Sequence, residues 1–580
     1  MQLSRQPRSV RAGCSQRVPA APGILRLQRP ASRWVAKAAD SDSDQPATAP
    51  ETTPSPVSSS HSSSFTPSAA STSAPAAATA VAPSPAAPTA RAATVAELDA
   101  LRFKLDPSVE RWSTRDTILI AAISDPKDDK KASNPAASAY RLVEVLPRLL
   151  PAGGPAAAVS DPARAAHWAY HLVRHLSFNG LAVAGFAAHD LVERLQRLQR
   201  QLAGGSSGSS GRGSSSRTRT PFEKLLESAE AEFAYRLSDF IEAVDQDYDN
   251  IKSGAYPLPW DMTSPSHRQY SPAYVAASSA AYVGEWIKMT QRRLDKQPEK
   301  LWLDGGKLYP QYYTKTFHFQ TDGWFSARSA FVYETNTEAL FSGLQDIMQR
   351  TALLPIADYV REAGSGSGPA SSASGASERS PAQLRLLEVA AGTGRFHTFI
   401  KDAYPDMRTV CSDLSPFYLA RARNNLRYWR RLRAPGRSLG GVDETGTEFL
   451  QTAAEDIAAP DESFDIVVCV YLFHELPEAV RRRAVAEFAR VLRPGGLLVL
   501  TDSVQLGDRP GLERNLDVFG DFNEPYYRNY LSCDLGAMGE EAGLVPDGKW
   551  VSLVTKTLSF RKPWAGEALA TAPAVDSLTA

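Results

Sequence analysis

The chain has 580 residues, and 64 Lys and Arg balance 64 Asp and Glu to give a formal net charge of zero. That balance offers no electrostatic case for a nucleic-acid partner, and no apolar run approaches the length needed to span a bilayer. Four scattered cysteines, Cys14, Cys411, Cys469 and Cys533, form no C-x-x-C pair, which excludes a disulfide scaffold or zinc knuckle and fits a reducing compartment.

Residues 1–37 carry Arg5, Arg8, Arg11, Arg17, Arg26, Arg29, Arg33 and Lys37, with no acid before Asp40. An Arg-rich, Ser-containing, acid-free start is the pattern of an organelle transit peptide. Val35-Ala36-Lys37-Ala38 resembles a plastid processing site, so the expected address is the chloroplast, with the mitochondrion as alternative. Residues 38–92 are dominated by Ala, Ser, Pro and Thr and cannot bury enough apolar surface to order themselves, so they are expected to be disordered. Residues 93–203 are expected to form a helical lobe. Its helices run through Val95–Phe103, Tyr140–Leu146 and Ala165–Leu176, and a stripe follows at Leu191, Leu195, Leu198 and Leu202. No convergent polar cluster stands out in this lobe. A Gly/Ser-rich linker covers 204–219. It ends at the capping box Thr220-Pro221-Phe222-Glu223, and the apolar face from Phe222 to Val244 predicts a helix packed on a core.

Residues 220–362 form a helical and aromatic region, with helices expected over Tyr282–Leu294 and Glu338–Arg350. Between them, Tyr312 to Ser326 crowds aromatic and polar groups together. Two readings stand for this segment. It either closes the following domain with amphipathic aromatics, or it forms a lid whose His318, Gln320, Asp322 and Trp324 touch a small-molecule substrate. Residues 363–381 are a second Gly/Ser/Ala-rich insert, expected to be flexible.

Residues 382–562 alternate strand and helix. The apolar run Leu386-Leu387-Glu388-Val389 enters the turn Ala390-Ala391-Gly392-Thr393-Gly394, and a helical pattern starts at Arg395. Glycines there let the backbone turn sharply and lie against a ligand. A dinucleotide fingerprint needs a small residue at the position of His397, which argues against pyrophosphate. Asp413 ends the next strand, roughly twenty residues past the turn, where an acid can hold ribose hydroxyls. Phe464-Asp465 opens an apolar strand, Tyr471 to Leu476 follows it, and Arg493-Pro494-Gly495-Gly496 precedes another strand. His474 lies beyond the carboxyl end of its strand, where ligands of open α/β sheets sit, and titrates in the range of a general base. Beyond residue 562 the tail is expected to be disordered.

These motifs, in this order, resemble the class I S-adenosylmethionine (SAM)-dependent methyltransferases, most of all their ubiquinone/menaquinone-type group. The resemblance covers about 384–560. It implies an α/β, Rossmann-like, seven-stranded sheet with one antiparallel strand and SAM as cofactor. It places Glu388, Ala390, Gly392, Thr393, Gly394, Asp413, Leu414 and Val470 around that cofactor. Relatives carry an adenine-binding acid where this chain has Ala453, so the contact is expected from Ala454, Glu455 or Asp456. Such folds often place capping elements just before the glycine turn and after the fifth strand, which marks Tyr526 and Tyr527 as further substrate contacts. The expected activity is methyl transfer to a small-molecule acceptor, such as a quinone or another aromatic or lipid metabolite, with His474 as the candidate base. No metal-ligand cluster is visible, and the chemistry needs none. The other readings are a SAM-binding scaffold without turnover and a protein or RNA methyltransferase.

Overall fold

The computed structural model describes residues 118–119, 161–203, 233–295, 309–315, 317, 320–365, 378–433, 435, 445–509, 516 and 523–564. Several expectations lie outside these residues: the transit peptide, the 38–92 segment, the helices before residue 150, the linker with its capping box, His318, most of the 363–381 insert and the tail after Trp564.

Eight strands form one sheet: β1 (Ile118–Leu119), β2 (Arg385–Val389), β3 (Arg408–Asp413), β4 (Thr447–Gln451), β5 (Phe464–Val470), β6 (Leu492–Ser503), β7 (Val545–Ser552) and β8 (Thr555–Arg561). Their spatial order is β1-β7-β8-β6-β5-β2-β3-β4. β8 alone runs antiparallel to its neighbours. Seven strands follow the expected plan. The eighth, β1, is a two-residue addition from the region expected to be mainly helical, with Ile118 opposite Trp550 on the sheet edge. β5 is buried at every residue, as an apolar central strand covered on both faces must be.

The helices are α1 (Pro162–Ala203), α2 (Phe233–Lys252), α3 (Trp260–Thr263), α4 (Pro272–Asp295), α5 (Ala327–Leu340), α6 (Gln345–Arg350), α7 (Leu353–Ser365), α8 (Arg395–Ala403), α9 (Pro416–Arg433), α10 (Glu478–Val491), α11 (Tyr527–Leu531) and α12 (Leu535–Glu541). One sheet face packs on a cluster that includes Val485, Phe488, Leu535 and Met538 from α10 and α12. The other packs on Phe396, Phe399, Ile400, Trp429 and Ile356, together with Tyr256 and Trp260 from upstream. The aromatic upstream region therefore shares the sheet's core.

Three readings are corrected. α1 is one 42-residue helix rather than two pieces. The polar Ser177-Phe178-Asn179-Gly180 stretch stays helical because Ser177 donates to the Val173 carbonyl and Asn179 to the His175 carbonyl. The helix expected over Glu338–Arg350 is broken, because Ser342 and Gly343 take left-handed φ of 54° and 79° and separate α5 from α6. The lobe also carries a convergent polar cluster. Arg174 bonds Glu338 and Asp346, Asp346 bonds Arg395, and Arg395 bonds Asp261 at 2.5 Å. Its charges are spread over α1, α3, α5, α6 and α8, which is why no local pattern in the sequence displays it.

Candidate active site

The strand order reverses between β2 and β5, so their carboxyl ends open a cleft, the place where open α/β sheets bind ligands. The glycine turn leaves β2 there. Ala390, Gly392 and Gly394 all have positive φ, at 54°, 57° and 69°. The two glycines serve different ends. A Cβ on Gly394 would stand 2.8 Å from the Cβ of Ala422 on α9, so this glycine permits close helix packing. A Cβ on Gly392 would meet no protein atom within 4 Å, so the space over this residue is left for something else. Thr393 is buried, and its carbonyl accepts from Asn425 at 2.9 Å, which anchors the turn to α9.

Asp413 closes β3 opposite this turn. One carboxylate oxygen accepts from the Gly392 amide at 2.8 Å and the other from the Ser415 amide at 2.7 Å. Burial pushes its carboxyl up to about 6, against the lowering pull of the Ser415, Gly392 and Leu414 amides. Each oxygen keeps a lone pair for a ligand hydroxyl. Leu414 follows it, with its carbonyl accepting from Gln451 at 3.1 Å.

Glu388 is buried and bonded to His397 Nδ1 at 2.7 Å, while His397 Nε2 meets the Thr409 hydroxyl at 2.9 Å. Burial and Asp413 push its carboxyl well above the usual range, and burial with Lys401 holds His397 down at about 3. The pair braces β2 against α8. This also explains why His397 fits at a position where a dinucleotide fold would need a small residue.

The segment after β4 divides its candidates. Ala454 is buried, whereas Asp456 is exposed. Both Glu455 oxygens accept from the Tyr312 hydroxyl at 2.8 Å, which ties the aromatic segment down across this end. Val470 ends β5, and Tyr471 follows at a positive φ of 56°. Two non-glycine residues, Ala390 and Tyr471, thus hold strained backbone on adjacent strand ends, a feature that clusters at functional sites.

His474 lies in the turn Phe473–Glu475 beyond β5. Its Nδ1 donates to Asp502 at 2.6 Å, while the other Asp502 oxygen accepts from the Phe473 amide at 2.7 Å. Tyr527 and Tyr530 present themselves edge-on to the imidazole, with ring centroids 6.1 and 6.3 Å away. Burial favours the neutral ring, but Asp502, by charge and hydrogen bond, and then Glu524 and Glu475, raise His474 to about 10. This environment favours the imidazolium, which donates hydrogen bonds, over the neutral ring that a general base needs.

The aromatic segment before α5 lies over the cleft. Tyr313 has its hydroxyl buried beside Asp413 and Ser415, and its ring stacks on Tyr309 at 5.5 Å. Ser415 donates to the Trp324 carbonyl, and the Trp324 ring meets Tyr333 and Tyr418 at 5.7 and 5.3 Å. Gln320 is not a free contact. Its amide donates to the Tyr418 hydroxyl at 3.0 Å and to Ser329, so it holds the segment together. Asp322 stands on the turn with φ of 62°. On the other side Tyr526 is half-buried, with its carbonyl accepting from Arg481, and Tyr527 is buried. Tyr333 escaped the sequence reading. Its phenol is pushed well up by burial and by Glu475, Asp413, Glu524 and Asp502, which together surround it. Asp502 escaped too, although its place at the carboxyl end of β6 was a usable signal.

Residues 387–500 match the profile of the family described as a methyltransferase domain. This segment is a methyltransferase domain of the SAM-dependent kind. Similar proteins include a demethylmenaquinone methyltransferase of Deinococcus radiodurans, 33% identical over 118 residues, or 20% of this chain and 42% of that one. A fatty-acid O-methyltransferase of Mycolicibacterium smegmatis is 31% identical over 134 residues, 23% of this chain and 42% of the other. A tRNA N(3)-cytidine methyltransferase of Mus musculus is 25% identical over 174 residues, 28% and 42% respectively. The chain thus spans about two fifths of the length of these relatives.

The cofactor of this domain is SAM, and the residues of the cleft fit it. SAM brings a cationic sulfonium and a ribose diol, both of which match carboxylates. Asp413 and the carboxylates around Tyr333 supply that chemistry, and the open space over Gly392 admits a ligand against the turn.

Proposed function

We propose that this protein transfers a methyl group from SAM to a small aromatic or hydroxylated acceptor enclosed between the Tyr309–Phe325 segment, α5 and α11. The observation that carries this reading is the carboxylate of Asp413 held by the Gly392 and Ser415 amides directly across the glycine turn. In this reading Asp413 holds the ribose hydroxyls, Gly392 and Gly394 shape the turn beneath them, and Ala454 with Val470 lines the base. SAM supplies an electrophilic methyl carbon, so the protein's work is chiefly alignment. His474, fixed by Asp502, donates a hydrogen bond to an oxygen of the acceptor, and an acceptor hydroxyl releases its proton to water. Trp324, Tyr333, Tyr526 and Tyr527 supply apolar walls with polar tips.

Two observations favour a small molecule over RNA. The chain has no net positive charge. Glu475, Asp502, Glu524 and Asp413 all raise the Tyr333 phenol, and this negative field would repel a phosphate backbone. The proposed site of action is the plastid, on the strength of the acid-free, arginine-rich first 37 residues.

The test is incubation with methyl-labelled SAM and a plastid extract, followed by separation into metabolite, RNA and protein fractions. Label in a low-molecular-mass product, lost in Asp413→Asn, is the expected result. Label in RNA or protein would overturn the acceptor reading. Binding of SAM with no label transferred to any fraction would favour a scaffold. A fluorescent fusion of residues 1–60 that stays outside plastids would remove the address.

A further inference from the structure

We propose a divalent metal site, for zinc or a similar transition ion, at His167, His171 and Asp247, away from the methyl-transfer cleft. His167 and His171 are four residues apart on α1 and so share one helix face, which meets Asp247 on α2. All three are buried, at 3%, 2% and 1% exposure. His167 Nε2 lies 3.1 Å and His171 Nε2 3.8 Å from the same oxygen, Oδ2 of Asp247. The three ligand atoms all fall within 4.8 Å of one another.

None of the four ring nitrogens has an aligned hydrogen-bond partner among the described residues. Only His167 Nε2 comes within hydrogen-bond distance of a partner, and buried imidazoles left so poorly bonded are costly. An ion held by both Nε2 atoms and Oδ2 removes that cost, and two imidazoles with one carboxylate form an established donor set for zinc and iron. A second buried trio, Glu388, His397 and Cys411, makes the contrast. There both ring nitrogens of His397 are already bonded, at 2.7 and 2.9 Å, so that trio is a satisfied core pair.

Asp247 is oriented as a ligand's carboxylate usually is. Arg350 Nε and the Tyr256 hydroxyl each donate to Oδ1 at 2.9 Å, and Arg350 Nη2 donates to Oδ2 at 2.7 Å. The guanidinium is a cation beside the proposed site, so charge must be considered. Asp247 already offsets that charge through its ion pair with Arg350, and a bound hydroxide would offset part of the dication's. The ion would clamp α1 to α2, and Arg350 would relay that clamp to α8 through its stacking on Phe399 at 5.3 Å.

The test uses the untagged full-length protein, loaded with Zn²⁺ or Co²⁺, dialysed against a weak chelator and analysed by inductively coupled plasma mass spectrometry. The expected result is about one metal per chain, a visible d–d absorption band with Co²⁺, and a lower melting temperature after strong chelation. The double variant H167Q/H171Q should lose the metal and the band, while H474Q keeps both. Less than a tenth of an equivalent retained by the folded wild type would overturn the proposal, and this outcome does not depend on any variant folding. Equal metal in wild type and double variant would mean an adventitious ion only, and would overturn it as well.

Discussion

At the scale of single residues, the cleft is built from groups whose ordinary chemistry has been shifted. Asp413 carries its proton up to about pH 6 because it is buried. Only its ionised form accepts freely from two ribose hydroxyls, so SAM affinity should rise with pH through about 6 and level off above it. Asp413→Asn should abolish that dependence and weaken binding by roughly 10- to 100-fold, the loss of one or two charge-assisted hydrogen bonds. Titration calorimetry between pH 5 and 8 reads both effects. His474 shifts the other way from a free imidazole. Its folded value of about 10 lies above the unfolded value near 6.5. Its ion pair with Asp502 therefore stabilises the fold fully below pH 6.5, and this contribution is lost as pH rises through about 10. Nitrogen-15 NMR of the imidazole should show it charged at pH 8 in the wild type and neutral at pH 8 in Asp502→Asn. The two glycines offer a matched pair. Gly394→Ala drives a methyl into Ala422 and should cost about 1–3 kcal/mol in urea unfolding. Gly392→Ala meets no neighbour, so its structural cost is confined to backbone strain and its main effect should be on cofactor affinity.

At the scale of elements, the sheet and its crossovers were legible because each buried strand is a local apolar run closed by a turn signal. Val389, Asp413 and Val470 all end strands where the pattern placed them. What could not be read is what binds one element to another. Glu388 had a plausible ligand role on sequence grounds and His397 only an argument against a dinucleotide, and only the packing of α8 on β2 shows that they bond each other. The helices of the upstream region were located, but α1 was split by a polar stretch whose side chains turn out to bond back to their own helix. The buried ions between helices are the least legible, since Asp247 and Arg350 are separated by 103 residues and meet at 2.7 Å. Removing one partner of such a pair strands the other, so Arg350→Ala should destabilise by about 3–5 kcal/mol in denaturant unfolding, whereas replacing both by apolar residues should cost less.

At the scale of the whole molecule, the methyltransferase domain is completed by chain that precedes it. Trp260 donates to the Thr398 hydroxyl at 3.1 Å from α3, and Arg395, the first residue of α8, is held by Asp261 and Asp346 from outside the domain. The glycine turn is therefore positioned from both sides, by its own sheet and by the upstream helices. The Tyr309–Phe325 segment closes the same cleft through Tyr312 on Glu455 and the Trp324 carbonyl on Ser415. This cover lies outside residues 387–500, which match the methyltransferase family. The most direct measurement is titration of the full-length protein with SAM by calorimetry at pH 7.5, beside Asp413→Asn. The account predicts saturable one-to-one binding to the wild type that weakens by at least about tenfold in the variant. No heat of binding to folded wild type, or equal affinity in the two proteins, would contradict it.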